Sequence, residues 1–179
     1  MSRIVDPGAI FAGWVGLGVA LVAVIALALV IAVQPLLFVL ALPIGLLMGW
    51  YANARSERRR PRHRVMANAG YASLLTALGL AVMYVALRLL FVYGDTGALP
   101  DGSRLDCRMG PECTYARHVE AGRQEELAAQ GIGDVASFET ATLQQQLVAG
   151  AALFGLTLGG GLLSGAGRAL GSSLERRQA

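Results

Sequence analysis

The sequence predicts an all-α membrane protein: four transmembrane helices in an antiparallel bundle, with one large extracytoplasmic loop. Three observations lead there. Four apolar stretches, about 9–33, 36–53, 70–93 and 143–170, each reach or approach the roughly 20 residues a helix needs to cross a bilayer. Hydrophobic residues make up 55% of the chain. They lie in unbroken runs rather than alternating with polar residues, which selects helices over the strands of a membrane barrel. Third, charge is divided unequally between the segments that join the stretches. The polar sequence between 94 and 142 is too short for a separate soluble domain, so residues 1–179 read as a single membrane domain.

The first stretch follows Arg3 and could pass for a secretion signal. Its run of about 25 residues exceeds the ~7–15 of a signal core, and Asp6 weakens a positive leader. An uncleaved helix is expected. Gln34-Pro35 separates it from the second stretch, and proline suits the first turn of a helix, so a very tight turn and a hairpin are expected. Pro43, inside the second stretch, removes one backbone hydrogen bond and should kink that helix.

The second and third stretches are joined by Arg55–Arg64, with six arginines and one glutamate. Short arginine-rich loops stay on the cytoplasmic side, and an even number of spans then places both termini there. The remaining charges agree. Residues 94–140 carry nine acids and four arginines, a net −5, whereas the predicted cytoplasmic segments carry ten arginines and three acids, a net +7. All fifteen basic residues are arginine, a composition in keeping with a GC-rich bacterial genome, so the expected location is the bacterial plasma (inner) membrane. Trp14, Trp50, Tyr51 and Tyr71 fall near the inner interface and Phe91 and Tyr93 near the outer one, where aromatic rings favour the head-group layer. Arg58, Arg59, Arg60, Arg62 and Arg64 are the candidate contacts for anionic lipid. The basic balance is expected to meet lipid phosphate, not nucleic acid.

The outer segment opens on turn sequences, Gly94-Asp95 and Pro100-Asp101-Gly102. The spacing of Asp95, Asp101 and Asp106 does not follow a calcium loop. Glu120–Gln130 reads as a short surface helix ended by Gly131. Asp134 suits an N-cap, so Val135–Gln146 would form a polar extension of the fourth helix, with Gln144, Gln145 and Gln146 at the outer interface. Cys107 and Cys113, the two cysteines of the chain, lie on the oxidising side with Gly110-Pro111 between them. A structural disulfide is expected. Zinc is not, because the pair and His118 offer three ligands and no fourth.

Arg88 lies within the third stretch, five residues before Tyr93. It can reach outward along its aliphatic stem, or serve as a gating or anion-binding charge. No Asp, Glu, Lys or His lies deep in the stretches, which argues against proton relays and ion-coupled carriers. The helices are rich in small residues instead. Gly155, Gly159, Gly161 and Gly165 in the fourth stretch, and Ala72, Thr76 and Gly79 in the third, are the candidate packing positions, since close backbone approach drives helix association in lipid.

The expected function is therefore a non-catalytic accessory, scaffold or assembly subunit of a bacterial membrane complex, without cofactor or metal. Its partners would be the bilayer, anionic lipids and other membrane subunits. A channel or transporter component formed by oligomerisation is the alternative, resting on Arg88, Pro43 and the glutamines. A membrane thiol oxidoreductase comes last, because electron relay to a quinone needs a second cysteine pair. Four spans with a large second outer loop resemble tetraspanin topology, but the tetraspanin cysteine motif is absent, and topology alone carries no function.

Overall fold

Apolar runs of this length leave the backbone no partner but itself, and the computed structural model, which describes residues 4–30, 34–57 and 61–178, is helical almost throughout. The elements are α1 (Pro7–Ile25), a π-helical turn (Ala26–Val30), α2 (Gln34–Ala54), α3 (Arg62–Tyr93), α4 (Pro111–Glu120), α5 (Gln124–Ala129) and α6 (Val135–Gln178). Among the described residues the single extended feature is an isolated bridge between Ala98 and Arg104. Four helices are long and apolar enough to cross a membrane: Pro7–Ala28, Pro35–Ala54, Arg62–Tyr93 and Val135–Gly171. At 1.5 Å per residue, the 32 residues of α3 run about 48 Å, beyond the ~30 Å of a hydrocarbon core. The tight turn expected before Pro35 falls partly on 31–33, outside the described residues.

Backbone proximity divides the chain into two units, Met1–Tyr84 with Gly150–Ala179, and Val85–Ala149. The first is built on small side chains. Ala9, Ala12, Ala52 and Ala72 are fully buried together, with Val5 and Tyr51 packed on them. Leu37, Leu80 and Leu153 are also buried, while other large apolar side chains point outward: Val39 is 69% exposed, Val22 66% and Leu163 61%. In lipid there is no gain from hiding leucine, and association follows from backbones coming close.

A close backbone approach lies between α2 and α6. A β-carbon at Gly45 would collide with the Thr157 carbonyl, and one at Gly49 would lie 2.6 Å from the Gly161 carbonyl oxygen. Reciprocally, a β-carbon at Gly160 would strike Leu42 O and the turn that follows Pro43. Each helix thus uses the other's backbone as its packing surface. The spacing Gly45-x-x-x-Gly49 is a small-residue pair of the kind sought in the third and fourth stretches, and it lies in the second.

Polar residues tie the arginine-bearing ends of the first three helices. The Asp6 amide donates to Asn68 Oδ1 at 2.9 Å, and Asn68 Nδ2 donates to Asp6 Oδ2 at 2.8 Å. Asp6 is 6% exposed and Asn68 fully buried. Asn53 Nδ2 donates to Gly49 O and to Val65 O, both at 3.2 Å, binding the end of α2 to the start of α3. Ser73 and Thr76, also buried, turn their hydroxyls back onto their own helix, to Ala69 O at 2.6 Å and Ala72 O at 2.8 Å. That satisfies them without a partner helix.

Two expectations need correction in the 94–142 segment. Gly110-Pro111 is not only a turn: Pro111 opens α4, with Gly110 as its N-cap at φ +110°. The helix expected over Glu120–Gln130 is split, because α4 ends at Glu120 and α5 starts at Gln124. Gly122, at φ +72°, turns the chain between them, a conformation that glycine adopts without steric cost. The start of α6 is as expected: Asp134 Oδ1 accepts from the Ser137 amide at 2.8 Å and from its hydroxyl at 2.6 Å.

The α2–α6 contact gives a direct test. Gly45→Ala should cost about 1–3 kcal/mol by overpacking. Gly18→Ala, where a β-carbon meets nothing within 4 Å, should be neutral or gain up to about 1 kcal/mol from helix propensity. Unfolding titrations in mixed micelles will check this, and equal effects at the two positions would contradict the packing.

Candidate functional site

The Val85–Ala149 unit holds most of the chain's polar chemistry, and it is organised around Asp95. Its Oδ1 accepts from the Gly97 amide at 2.9 Å and from Arg117 Nη2 at 2.7 Å. Its Oδ2 accepts from Arg117 Nε at 3.2 Å and from Thr114 Oγ1 at 3.3 Å. The two-pronged guanidinium contact fixes α4 against the loop that follows α3. Arg117 Nη2 also donates to Ala98 O at 3.1 Å. The Arg117 hydrogen bonds hold the Asp95 carboxyl below its ordinary range against the opposing effect of burial, with help from the Gly97 amide, the Arg117 charge and Thr114. Asp101 is occupied by Ser103, whose hydroxyl donates at 2.6 Å. Asp95 and Asp101 are therefore used separately, and among the described residues no three His, Cys, Asp or Glu side chains converge as a metal site.

Cys107 and Cys113 form a disulfide, with Cα atoms 5.1 Å apart. Gly97 lies against it. Its φ is +71°, and a β-carbon there would lie 2.7 Å from Cys107 Sγ and 3.2 Å from Cys113 Sγ. Backbone conformation and space both require glycine at this position.

Beside this network, α4, α5 and the start of α6 close over a small apolar core of Leu127, Ile132 and Phe138, with Tyr115 and Ala141 against it. The His118 ring packs on Phe138 at 5.5 Å between centroids, and Arg123 Nη2 lies against its Nδ1. Burial pushes the His118 pKa below the usual histidine range. The charges of Arg123 and then Arg117 add to this, and Glu126 opposes it.

These elements, with the Arg88 turn of α3, surround a cavity of about 670 Å³, within the size range of small-molecule sites. Its polar lining includes Arg88, His118, Arg123, Glu126 and Gln146, and its apolar wall Val92, Leu127, Ile132, Phe138 and Val148. Gln146 is 4% exposed. Its Oε1 is buried without a hydrogen-bond partner, and so is Arg88 Nε. Gln144 and Gln145, by contrast, are exposed. All three line the cavity, but successive helical residues point about 100° apart, so Gln146 is the one turned furthest inward.

The remaining sequence-selected residues lie in the other unit. A β-carbon at Gly161 would strike Ser73, at Gly165 it would lie 2.8 Å from Ala69 Cβ, and at Gly79 2.6 Å from Leu17 Cδ1. Thr76 meets Gly16, and Ala72 is buried in the alanine cluster. Gly155 and Gly159 take no part: a β-carbon at either meets nothing within 4 Å. Arg62 is exposed and Arg64 half-buried, while Arg58, Arg59 and Arg60 lie outside the described residues. Sequence reasoning missed Asn53, Asn68, Gly45 and Gly49. Asparagines embedded in apolar runs, and the Gly-x-x-x-Gly spacing, were the available signals. No protein-family model, no curated protein and no solved structure compared with the chain matches it.

The depressed pKa values set a pH dependence. A histidine whose folded pKa is lowered stabilises the fold above its ordinary value of about 6.5, and that contribution is lost as pH falls through the folded value. The lowered Asp95 carboxyl stabilises above about 4 and loses its contribution below. Opening of this unit, followed by amide exchange corrected for intrinsic rates, should become easier in two stages, one below pH ~6.5 and one below ~4. Asp95→Asn should shrink the second stage, to which the lowered Asp101 and Asp134 carboxyls also contribute, and cost about 1 kcal/mol at neutral pH, allowing for the exposure of Arg117. A flat profile would contradict the assignment.

Proposed function

We propose that this chain is a multi-pass protein of the bacterial plasma membrane, a four-helix antiparallel bundle with both termini cytoplasmic. The 94–142 segment would lie outside, and the protein would act as a non-catalytic accessory or assembly subunit of a larger membrane complex. The observation that carries the reading is the division of labour on α6. Gly160 and Gly161 are consumed by contacts with α2 and α3, while Gly155 and Gly159 leave room for a β-carbon. The second pair has the spacing that lets helices approach closely in lipid, and among the described residues none of another helix comes within 4 Å of a β-carbon placed there.

The orientation rests on charge. Arg55 stacks over Phe11 and Tyr51, at 5.5 and 5.7 Å from the ring centroids, and Arg168 over Trp50 at 5.5 Å. Cations and amphipathic rings thus gather at one end, as expected of a cytoplasmic interface. Arg62 and Arg64 extend that surface toward anionic head groups, each exposed arginine contributing on the order of 1 kcal/mol to the attraction. The disulfide serves in this reading as a structural clamp on the outer loop.

Two measurements test the proposal. Single cysteines at Glu57 and Ser103 should react oppositely with a membrane-impermeant maleimide: Ser103→Cys labels in intact cells and Glu57→Cys only after lysis. The reverse pattern overturns the orientation. For the assembly, native mass measurement after mild-detergent isolation should find the wild type with a partner. Gly159→Leu should lose the partner while keeping the wild-type unfolding midpoint, and Gly160→Leu should fail to fold. A wild-type monomer that conducts ions in liposomes would replace this reading with the channel.

A further inference from the structure

We propose that the cavity of the Val85–Ala149 unit binds a phosphate ester carrying an ammonium group, the chemistry of a phosphoethanolamine head group. Its phosphate would receive the Arg88 Nε–H, and its ammonium would donate to Gln146 Oε1. The two orphan atoms have opposite needs. Arg88 Nε is a donor, and Gln146 Oε1 is an acceptor in a side chain 4% exposed. Leaving either buried and unmet is costly. A simple anion would satisfy Arg88 and offer nothing to the glutamine. A ligand with an acceptor at one end and a donor at the other answers both.

The charges around the cavity have the same polarity. Arg123 joins Arg88 on the cationic side, and Glu126 provides a carboxylate that suits an ammonium. The wall of Val92, Leu127, Ile132 and Phe138 gives apolar surface for the chain that follows a lipid head group. Position on the helix agrees with a lipid source. Arg88 lies five residues before the end of α3 at Tyr93, about 7–8 Å along the axis, near the depth of the phosphates for a span longer than the hydrocarbon core. A soluble phosphoethanolamine carries the same polar groups without the acyl chain.

The test uses the full chain in mild detergent, with binding read by native mass spectrometry. The probes are lysophosphatidylethanolamine, lysophosphatidylcholine of the same chain length, and O-phosphoethanolamine. The two lysolipids share a phosphate, but choline has no N–H to donate. Wild type should bind the ethanolamine lipid one to one and at least about tenfold more tightly than the choline lipid, the loss expected for a hydrogen bond to a charged group. Gln146→Leu should abolish that preference, and Arg88→Leu should weaken both lipids. Glu126→Gln, at an exposed position that leaves the fold intact, should reduce the preference even if Gln146→Leu does not fold. Tight binding of O-phosphoethanolamine would support the site with a soluble source, and binding of the lysolipid alone would support a membrane source. Equal binding of the two lysolipids by the wild type, or an ethanolamine preference that survives in folded Gln146→Leu and in Glu126→Gln, would overturn the proposal.

Discussion

Everything in the helical unit depends on how near α2 and α6 come to one another. Where Gly45 meets Thr157 and Gly160 meets Leu42, a methyl group has no space. Dispersion attraction decays steeply with distance, so backbone contact along several turns accumulates what a looser crossing forfeits. The same constraint explains the side chains that surround it. Positions flanking the contact are Ser73, Thr76 and Thr157, all fully buried and all small. Much of the bulk is sent outward, where Val39, Val22 and Leu163 would meet acyl chains. Apolar residues therefore occupy both the inward and the outward positions, Leu37, Leu80 and Leu153 within and Val39, Val22 and Leu163 without, and the low amphipathicity of the spans follows.

The second unit works by a different logic. It has one modest apolar cluster, Leu127, Ile132 and Phe138, too small to order a loop of this length unaided. Covalent and ionic ties supply the rest. The disulfide closes the chain on Gly97, and two residues before it Asp95 gathers an amide, a hydroxyl and a guanidinium. The ring and the ion pair therefore constrain the same short segment from both sides. A closed loop this short contributes a few kcal/mol at most. Its value lies in holding Gly97 and Asp95 where Arg117 can reach them.

What was legible in the sequence was local. Long apolar runs announced the spans, Asp134 announced the cap of α6, and two cysteines six residues apart on one loop announced their bond. The misses share a cause. Whether Gly110-Pro111 turns the chain or starts a helix depends on what receives the Gly110 amide, and that acceptor is Asp95 O, fifteen residues earlier. Which glycines of α6 pack inward depends on the rotation of the helix, and a run rich in small and apolar residues on every side gives no phase. The same ambiguity hid Gln146 among its neighbours. Asn68 pairs with a residue 62 positions away, and nothing in its own neighbourhood marks the partner.

That long separation has a meaning in time. Asp6 is made 62 residues before Asn68, and at about 5–20 residues per second the interval is on the order of 3–12 s. Throughout it, α1 and α2 exist without the amide that meets the Asp6 carboxyl, and only the arrival of the third helix supplies it. The contact between α1 and α2 therefore forms as an open clasp, and α3 fastens it. An early carboxylate with a late amide makes the start of the chain wait for its middle.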